Sequence, residues 1–183
     1  MSGLRGKCLI IGDASVGKTS LLDRYVNDNF QEKYIQTLGA NFMVKEVDLI
    51  DKLEGISDSD YYGDIKELKL YWWDLGGQKD KLFANEYYFG QAHGALIVFD
   101  VSNKESFENL DFWISKMTSL TGDIPFIIIG NKCDKKKEIT DQDIKKKVEG
   151  YNVEYFETSA KTNENVTLAF NSLAKKILNK TFS

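Results

Sequence analysis

The sequence has little of what marks a secreted, membrane-spanning or nucleic-acid-binding chain. It carries two cysteines, Cys8 and Cys133, with no C-x-x-C pair and no metal-ligand spacing, so neither a disulfide framework nor a structural zinc site is expected. No apolar run approaches the ~18 residues of a membrane span, and the start, MSGLRGKCLIIG, lacks the apolar stretch of a signal peptide. Position 2 is Ser2 rather than the glycine that N-myristoylation needs, and the last residues, NKTFS, hold no cysteine to prenylate; no lipid anchor is expected. Basic residues are not in excess. Lysine plus arginine number 24 against 28 aspartates and glutamates, and the formal charge of -4 gives no electrostatic reason to expect nucleic acid as a partner. The single histidine, His93, stands just ahead of an apolar run and reads as a structural residue rather than a general base. These absences point to a reducing, cytoplasmic setting, with any membrane association peripheral and made through partners.

What is present is enough for one core. A chain of 183 residues with 42% hydrophobic and 13% aromatic content can bury roughly 70% of its unfolded surface, and one domain over 1–183 is expected. Five short apolar runs, CLII at 8–11, LKLYWW at 68–73, ALIVF at 95–99, FIII at 126–129 and VEYF at 153–156, alternate with helical patterns, which is the rhythm of a parallel sheet. Helices are predicted over Thr19–Val26, over Glu105–Leu120 with Phe107, Leu110, Ile114 and Met117 inward, from Thr140 with Asp143 as a weak capping box, and at the end with Val166, Ala169, Phe170, Leu173 and Ile177 inward. A sixth strand near 41–50 is expected to pair antiparallel with 66–74 through a long hairpin loop at about 51–65. Either a tolerated insertion or a partner contact made by its tyrosines and carboxylates explains that length. The predicted class is α/β: a six-stranded, mostly parallel sheet with one antiparallel edge strand and helices on both faces.

Two motifs carry chemistry. Gly12-Asp13-Ala14-Ser15-Val16-Gly17-Lys18-Thr19 is a complete G-x-x-x-x-G-K-[ST] match between a strand and a helix, the P-loop pattern. Backbone N–H groups of such a turn converge on phosphate oxygens, the helix N-terminus adds partial positive charge, Lys18 reaches the outer phosphates and the Thr19 hydroxyl ligates Mg²⁺. This names a nucleoside triphosphate without naming the base. The base is named by Asn131-Lys132-Cys133-Asp134 just after the run at 126–129: a carboxylate at Asp134 accepts from the N1–H and exocyclic amine of guanine, where adenine offers an acceptor instead. A buried carboxylate there would reject ATP by something on the order of 10⁴-fold.

The ordered set GDASVGKT, Thr37, Asp74-Leu75-Gly76-Gly77-Gln78, NKCD and Thr158-Ser159-Ala160-Lys161 resembles the Ras superfamily of small GTPases, nearest its Rab branch, over essentially residues 6–180. WDLGGQ and YYFGQAHG resemble Arf-type proteins as much as Rabs, whose usual glutamine motif has Thr-Ala where this chain has Leu75-Gly76. The resemblance implies a P-loop NTPase fold and a switch that binds GTP, hydrolyses it to GDP and recruits effectors in the GTP form, with exchange factors and a GTPase-activating protein as regulators. It implies nucleotide contacts from Ala14 through Ser20, from Phe30, Thr37 and Gly77, from Asn131, Lys132 and Asp134, and from Ser159, Ala160 and Lys161. Thr19, Thr37 and Asp74 would hold Mg²⁺, and Gln78 would orient the attacking water. Phe42, Trp72 and Trp73 flank the switches, and a regular strand lets at most one of the two tryptophans join an effector surface. The alternative is a GTP-binding interaction subunit without turnover, which the presence of Gln78 disfavours. A P-loop kinase would need a basic lid, and the chain has only two arginines, Arg5 and Arg24.

Overall fold

The computed structural model describes residues 4–31, 40–48, 67–78 and 86–182. Thr37 and the 51–65 loop lie outside the described residues. In chain order the elements are β1 (Leu4–Ile11), α1 (Lys18–Asn27), β2 (Ala40–Asp48), β3 (Glu67–Leu75), β4 (Gly94–Asp100), α2 (Lys104–Glu108), α3 (Leu110–Thr121), β5 (Phe126–Asn131), α4 (Asp141–Tyr151), β6 (Tyr155–Thr158) and α5 (Val166–Phe182). The strands form one six-stranded sheet in the order β2-β3-β1-β4-β5-β6. Every neighbouring pair is parallel except β2–β3, which runs antiparallel with Phe42 opposite Trp73 and Met43 opposite Trp72. The predicted class, including its antiparallel edge strand, is what the chain adopts.

The apolar runs are continuous because both faces of the inner strands are covered. Cys8, Ile10, Leu68, Leu70, Trp72, Leu96, Val98, Ile127 and Ile129 point to one side, where they meet Leu21, Leu22 and Tyr25 of α1 and Phe170, Leu173 and Ile177 of α5. The alternate residues Leu9, Ile11, Ala95, Ile97, Phe99 and Ile128 point to the other side, against Phe107, Leu110, Trp113, Ile114 and Met117 and against Ile144 of α4. A strand's period of two thus sorts one sequence into two cores. Trp72 and Trp73 obey the same rule: Trp72 is fully buried, and Trp73 faces the opposite side. Tyr25, Trp72 and Phe170 join α1, β3 and α5 through ring centroids 4.3 Å (Tyr25–Phe170) and 4.8 Å (Trp72–Phe170) apart.

Two expectations shift. The helix predicted over Glu105–Leu120 is two, because at Asn109 (ψ -4°) the backbone flattens; Asn103 caps α2 by accepting from the Ser106 N–H, and α3 starts afresh at Leu110. The last strand lies at Tyr155–Thr158 rather than 153–156, since the ladder to Ile128–Asn131 continues through Glu157 and Thr158, while Val153 packs from the preceding loop onto the second core. Backbone pairing, which apolar pattern does not report, sets that boundary. The capping box is as expected: the Thr140 hydroxyl accepts from the Asp143 N–H at 3.1 Å.

The Trp72 Nε1–H is buried with no hydrogen-bond partner among the described residues. Replacing it by Phe removes an orphaned donor whose desolvation costs ~1–3 kcal/mol, offsetting much of the lost packing. Trp72→Phe should therefore cost under ~1.5 kcal/mol in urea unfolding, whereas Phe170→Ala, which opens a cavity in the same cluster, should cost ~3–5 kcal/mol.

Candidate functional site

All the site motifs leave the sheet at the same edge, after the C-terminal ends of β1, β3, β5 and β6, and β3 and β4 flank β1 on opposite sides. That reversal of strand order is the crevice where open α/β sheets take ligands. The P-loop turn begins there. Gly17, at φ +98°, is the N-cap of α1 and supplies no side-chain cap, so the first N–H groups of the helix face the loop. Gly17 is also required sterically, since a Cβ would stand 2.3 Å from Nδ2 of Asn131. Ser15, at φ 65°, takes a second left-handed turn residue, and Ala14 and Ser15 are exposed while Val16 is buried.

Lys18 is 5% exposed, and its ammonium donates to the carbonyls of Gly12 (2.9 Å) and Asp13 (2.7 Å). Burial lowers its pKa to about 8, against the opposing pull of the Asp74 and Asp13 carboxylates. The Thr19 hydroxyl donates to Oδ2 of Asp74, which is fully buried at the end of β3; Ser20, next to Thr19, is half-buried in the first turn of α1. This hydroxyl and carboxylate are a hard-oxygen donor pair, and among the described residues no group of three or more His, Cys, Asp or Glu gathers. Such a set does not suit an all-protein metal cage. It fits Mg²⁺, which takes one or two protein oxygens and fills its shell with water and phosphate oxygens. Gly77 lies against the P-loop so closely that a Cβ would be 2.2 Å from the Ala14 nitrogen and from the Asp13 carbonyl carbon. Gln78 follows it, half-exposed, while Leu75 fills the second core, a burial that a Thr-Ala version of the motif would not supply.

On the other side of the loop, Asn131 is buried and uses both ends of its amide: Nδ2 donates to the Val16 carbonyl at 2.9 Å, and Oδ1 accepts from the Thr158 hydroxyl at 3.2 Å. Lys132 donates to the Ser15 carbonyl at 2.6 Å and pairs with Asp100 at 2.6 Å. Asp134 is exposed rather than buried, because it stands on the turn after β5; its Oδ1 accepts from the Ser159 hydroxyl at 2.6 Å. The Ala160 carbonyl accepts from Nε of Arg24 at 3.0 Å and the Lys161 carbonyl from its guanidinium at 3.3 Å, and the same guanidinium lies 5.8 Å from the half-buried Phe30 ring. The structure thus links the P-loop, Asp74, Gly77, Asn131, Lys132 and Thr158 by direct contacts, and joins Asp134 to Ser159.

Sequence reading missed Asp13, Asn109, Trp113, Asp100 and Arg24 as members of this constellation. Asp13 accepts from Asn109 Nδ2 (2.6 Å) and from the indole Nε1–H of Trp113 (2.7 Å). Asp100 is held below the usual carboxylate range; burial works against this, and Lys132 with the Ser102 hydroxyl and N–H outweighs it. Arg24 braces the 160–161 turn. Asp100 had a readable signal, for YWWD, ALIVFD and IIIGN all end an apolar strand on a polar residue at one edge of the sheet. Asp13, Arg24 and Trp113 had none beyond their type.

Comparison with known proteins agrees with this geometry. A family model described as Ras family matches residues 7–179. Ras-related protein Rab-13 of Bos taurus is 37% identical over 178 residues, spanning 95% of this chain and 80% of its own length. Ras-related protein Rab-8B of Homo sapiens is 34% identical over 177 residues, spanning 95% and 79%. The chain belongs to the Ras family and is a Rab-like GTPase.

Because Gly17 combines a left-handed φ with contact to Asn131, Gly17→Ala should destabilise the protein by at least ~2 kcal/mol. Chemical denaturation checks this, and Gly122→Ala, also at positive φ but with nothing near its Cβ, is the control for strain alone.

Proposed function

We propose that residues 1–183 act as one G domain, a switch that binds GTP and GDP with Mg²⁺, hydrolyses GTP slowly and recruits effector proteins in the GTP form. The observation that carries this reading is the amide of Asn131 joining the phosphate loop to both base-side turns, so that the two ends of one nucleotide would be read by one rigid unit. In this reading Lys18 and the α1 N-terminus hold the phosphates, and Phe30, Lys132 and the 159–161 turn enclose the base. Asp134 selects guanine, its Oδ1 fixed by Ser159. Thr19, Asp74 and Thr37 would hold Mg²⁺, which when bound would neutralise phosphate charge. Gly77 and Thr37 report the γ-phosphate through backbone N–H groups, and Gln78 orients the attacking water.

The aromatic residues beside the switches support effector binding. Phe42, 47% exposed, lies 5.1 Å from Trp73, which lies 5.1 Å from Tyr88, whereas Trp72 is committed to the core. Regulators are expected from outside. Arg24 is bound to the 160–161 turn and Arg5 sits exposed on β1, so neither serves the γ-phosphate, and an activating protein supplies that charge. No helix among the described residues is long and apolar enough to cross a membrane.

Calorimetry should find tight GTP and GDP binding and none for ATP, with Asp134→Asn shifting preference to xanthosine nucleotides. Single-turnover assays should show slow hydrolysis that Gln78→Leu lowers by at least ~10-fold. Equal affinity for ATP and GTP sinks the reading, and hydrolysis unaffected by Gln78→Leu would favour an interaction subunit instead.

A second expectation concerns pH. Lys18 has a folded pKa near 8, below its ordinary 10.5, so the charged form is disfavoured in the free protein. Its cost to stability is fully present below about 8 and disappears as pH rises toward 10.5. A bound polyphosphate favours the protonated amine, so nucleotide binding near pH 8 should take up a proton, and affinity should fall above it. Calorimetry in buffers of different ionisation enthalpy checks this, and Lys18→Arg should abolish the uptake.

A further inference from the structure

Asp13 occupies an unspecified position of the G-x-x-x-x-G-K-[ST] pattern, and its side chain is directed to Asn109 and Trp113, at the cap and in the first turn of α3. Its two oxygens are taken by different donors of that neighbourhood, Asn109 Nδ2 at 2.6 Å and Trp113 Nε1 at 2.7 Å. The holders are rigid: Trp113 is 1% exposed and is packed among Leu110, Ile114 and Met117 under the sheet. The backbone of the same residue is used from the opposite side. Its carbonyl accepts from Lys18 at 2.7 Å, and the Asp13–Ala14 peptide is the surface against which Gly77 is pressed. The base-side turns reach the loop elsewhere, Asn131 at Val16 and Lys132 at Ser15. The helix α3 also pairs with Glu86 through Lys116.

We propose that Asp13 is a positioning residue for the triphosphate state. By tying the Asp13–Ala14 peptide to Trp113 and Asn109 it fixes the bed on which Lys18 and Gly77 lean, and so favours the arrangement that reads a γ-phosphate over the one that binds GDP alone. Hydrogen bonds to a carboxylate are the strong kind, and here one donor, Trp113, is buried while Asn109 and Asp13 are half-buried. The clamp acts at the γ-phosphate end and leaves the guanine end alone. It rests on the nucleotide-binding reading given above.

The test uses the full chain with fluorescent GDP, a fluorescent non-hydrolysable GTP analogue and GTP itself. Asp13→Ala should shorten residence of the GTP analogue and slow single-turnover hydrolysis by roughly tenfold each, the equivalent of one such hydrogen bond, while GDP residence changes by less than about twofold. Trp113→Phe should act in the same direction, and the double variant should be no worse than Asp13→Ala, because both remove one clamp. Asp13→Asn, whose amide oxygen still accepts from Trp113, should recover most of the loss, and it also serves if the alanine variant folds poorly. Equal loss of GDP and GTP residence would reduce Asp13 to a general support of the loop and overturn the proposal, as would unchanged values in both Asp13→Ala and Trp113→Phe. A wild-type chain that holds neither nucleotide overturns the parent reading and this one with it, whereas normal wild-type binding with unaffected variants removes only this one.

Discussion

The amide of Asn131 is the interaction on which the arrangement of the site depends. One planar group, buried at the end of β5, donates to the P-loop and accepts from the start of the turn after β6. An amide is the side chain that suits this position, since a carboxylate could not donate to Val16 and an amine could not accept from Thr158. Gly17 has no side chain because that amide lies where a Cβ would be. Lys132 can reach Ser15 only while the strand end is held, and Ser159 meets Asp134 only while Thr158 is. A single buried hydrogen-bonding group therefore sets the distance between the phosphate loop and the base turns.

The sheet makes that possible by bringing strand ends to one edge. Each inner strand is apolar along its whole length, which both faces require, and each becomes polar where it leaves the core: Asp74, Asp100 and Asn131 are buried polar residues at the ends of β3, β4 and β5. Burying them without partners would cost several kcal/mol. They are kept because each is engaged, Asp74 by Thr19, Asp100 by Lys132 and Ser102, Asn131 by Val16 and Thr158. The site is the place where the core's polar residues find one another.

How much of this could be read from the sequence follows from distance along the chain. The P-loop and the NKCD turn are local patterns, each complete within eight residues or fewer, and their meaning comes from side-chain chemistry that does not depend on the rest of the fold. The inward residues of α5 were legible because a helix repeats its exposure regularly, and all five predicted ones are buried. By contrast the clamp of Asp13 by Trp113 joins residues 100 apart, and Arg24 bracing Ala160 joins residues 136 apart. No periodicity or spacing encodes such a pair. The break at Asn109 was missed for the same reason: the apolar stripe of 105–120 continues through it, and its amide is turned to a loop far upstream. Thr37 and the 51–65 loop lie outside the described residues, so their roles stay with the sequence reading.

The order in which these partners occur along the chain bears on biogenesis. During synthesis the P-loop leaves the ribosome early, but Trp113, Asn131 and Thr158, which hold it, are made much later; Asn131 is 115 residues downstream of Val16. Strand β1 likewise lies between β3 and β4, neither of which exists when it emerges. Such non-local pairing is slow to form, and β1 gains its second sheet neighbour only when β4 has been made. The same long-range ties that hold the finished site together postpone its completion until the chain through Thr158 has been synthesised.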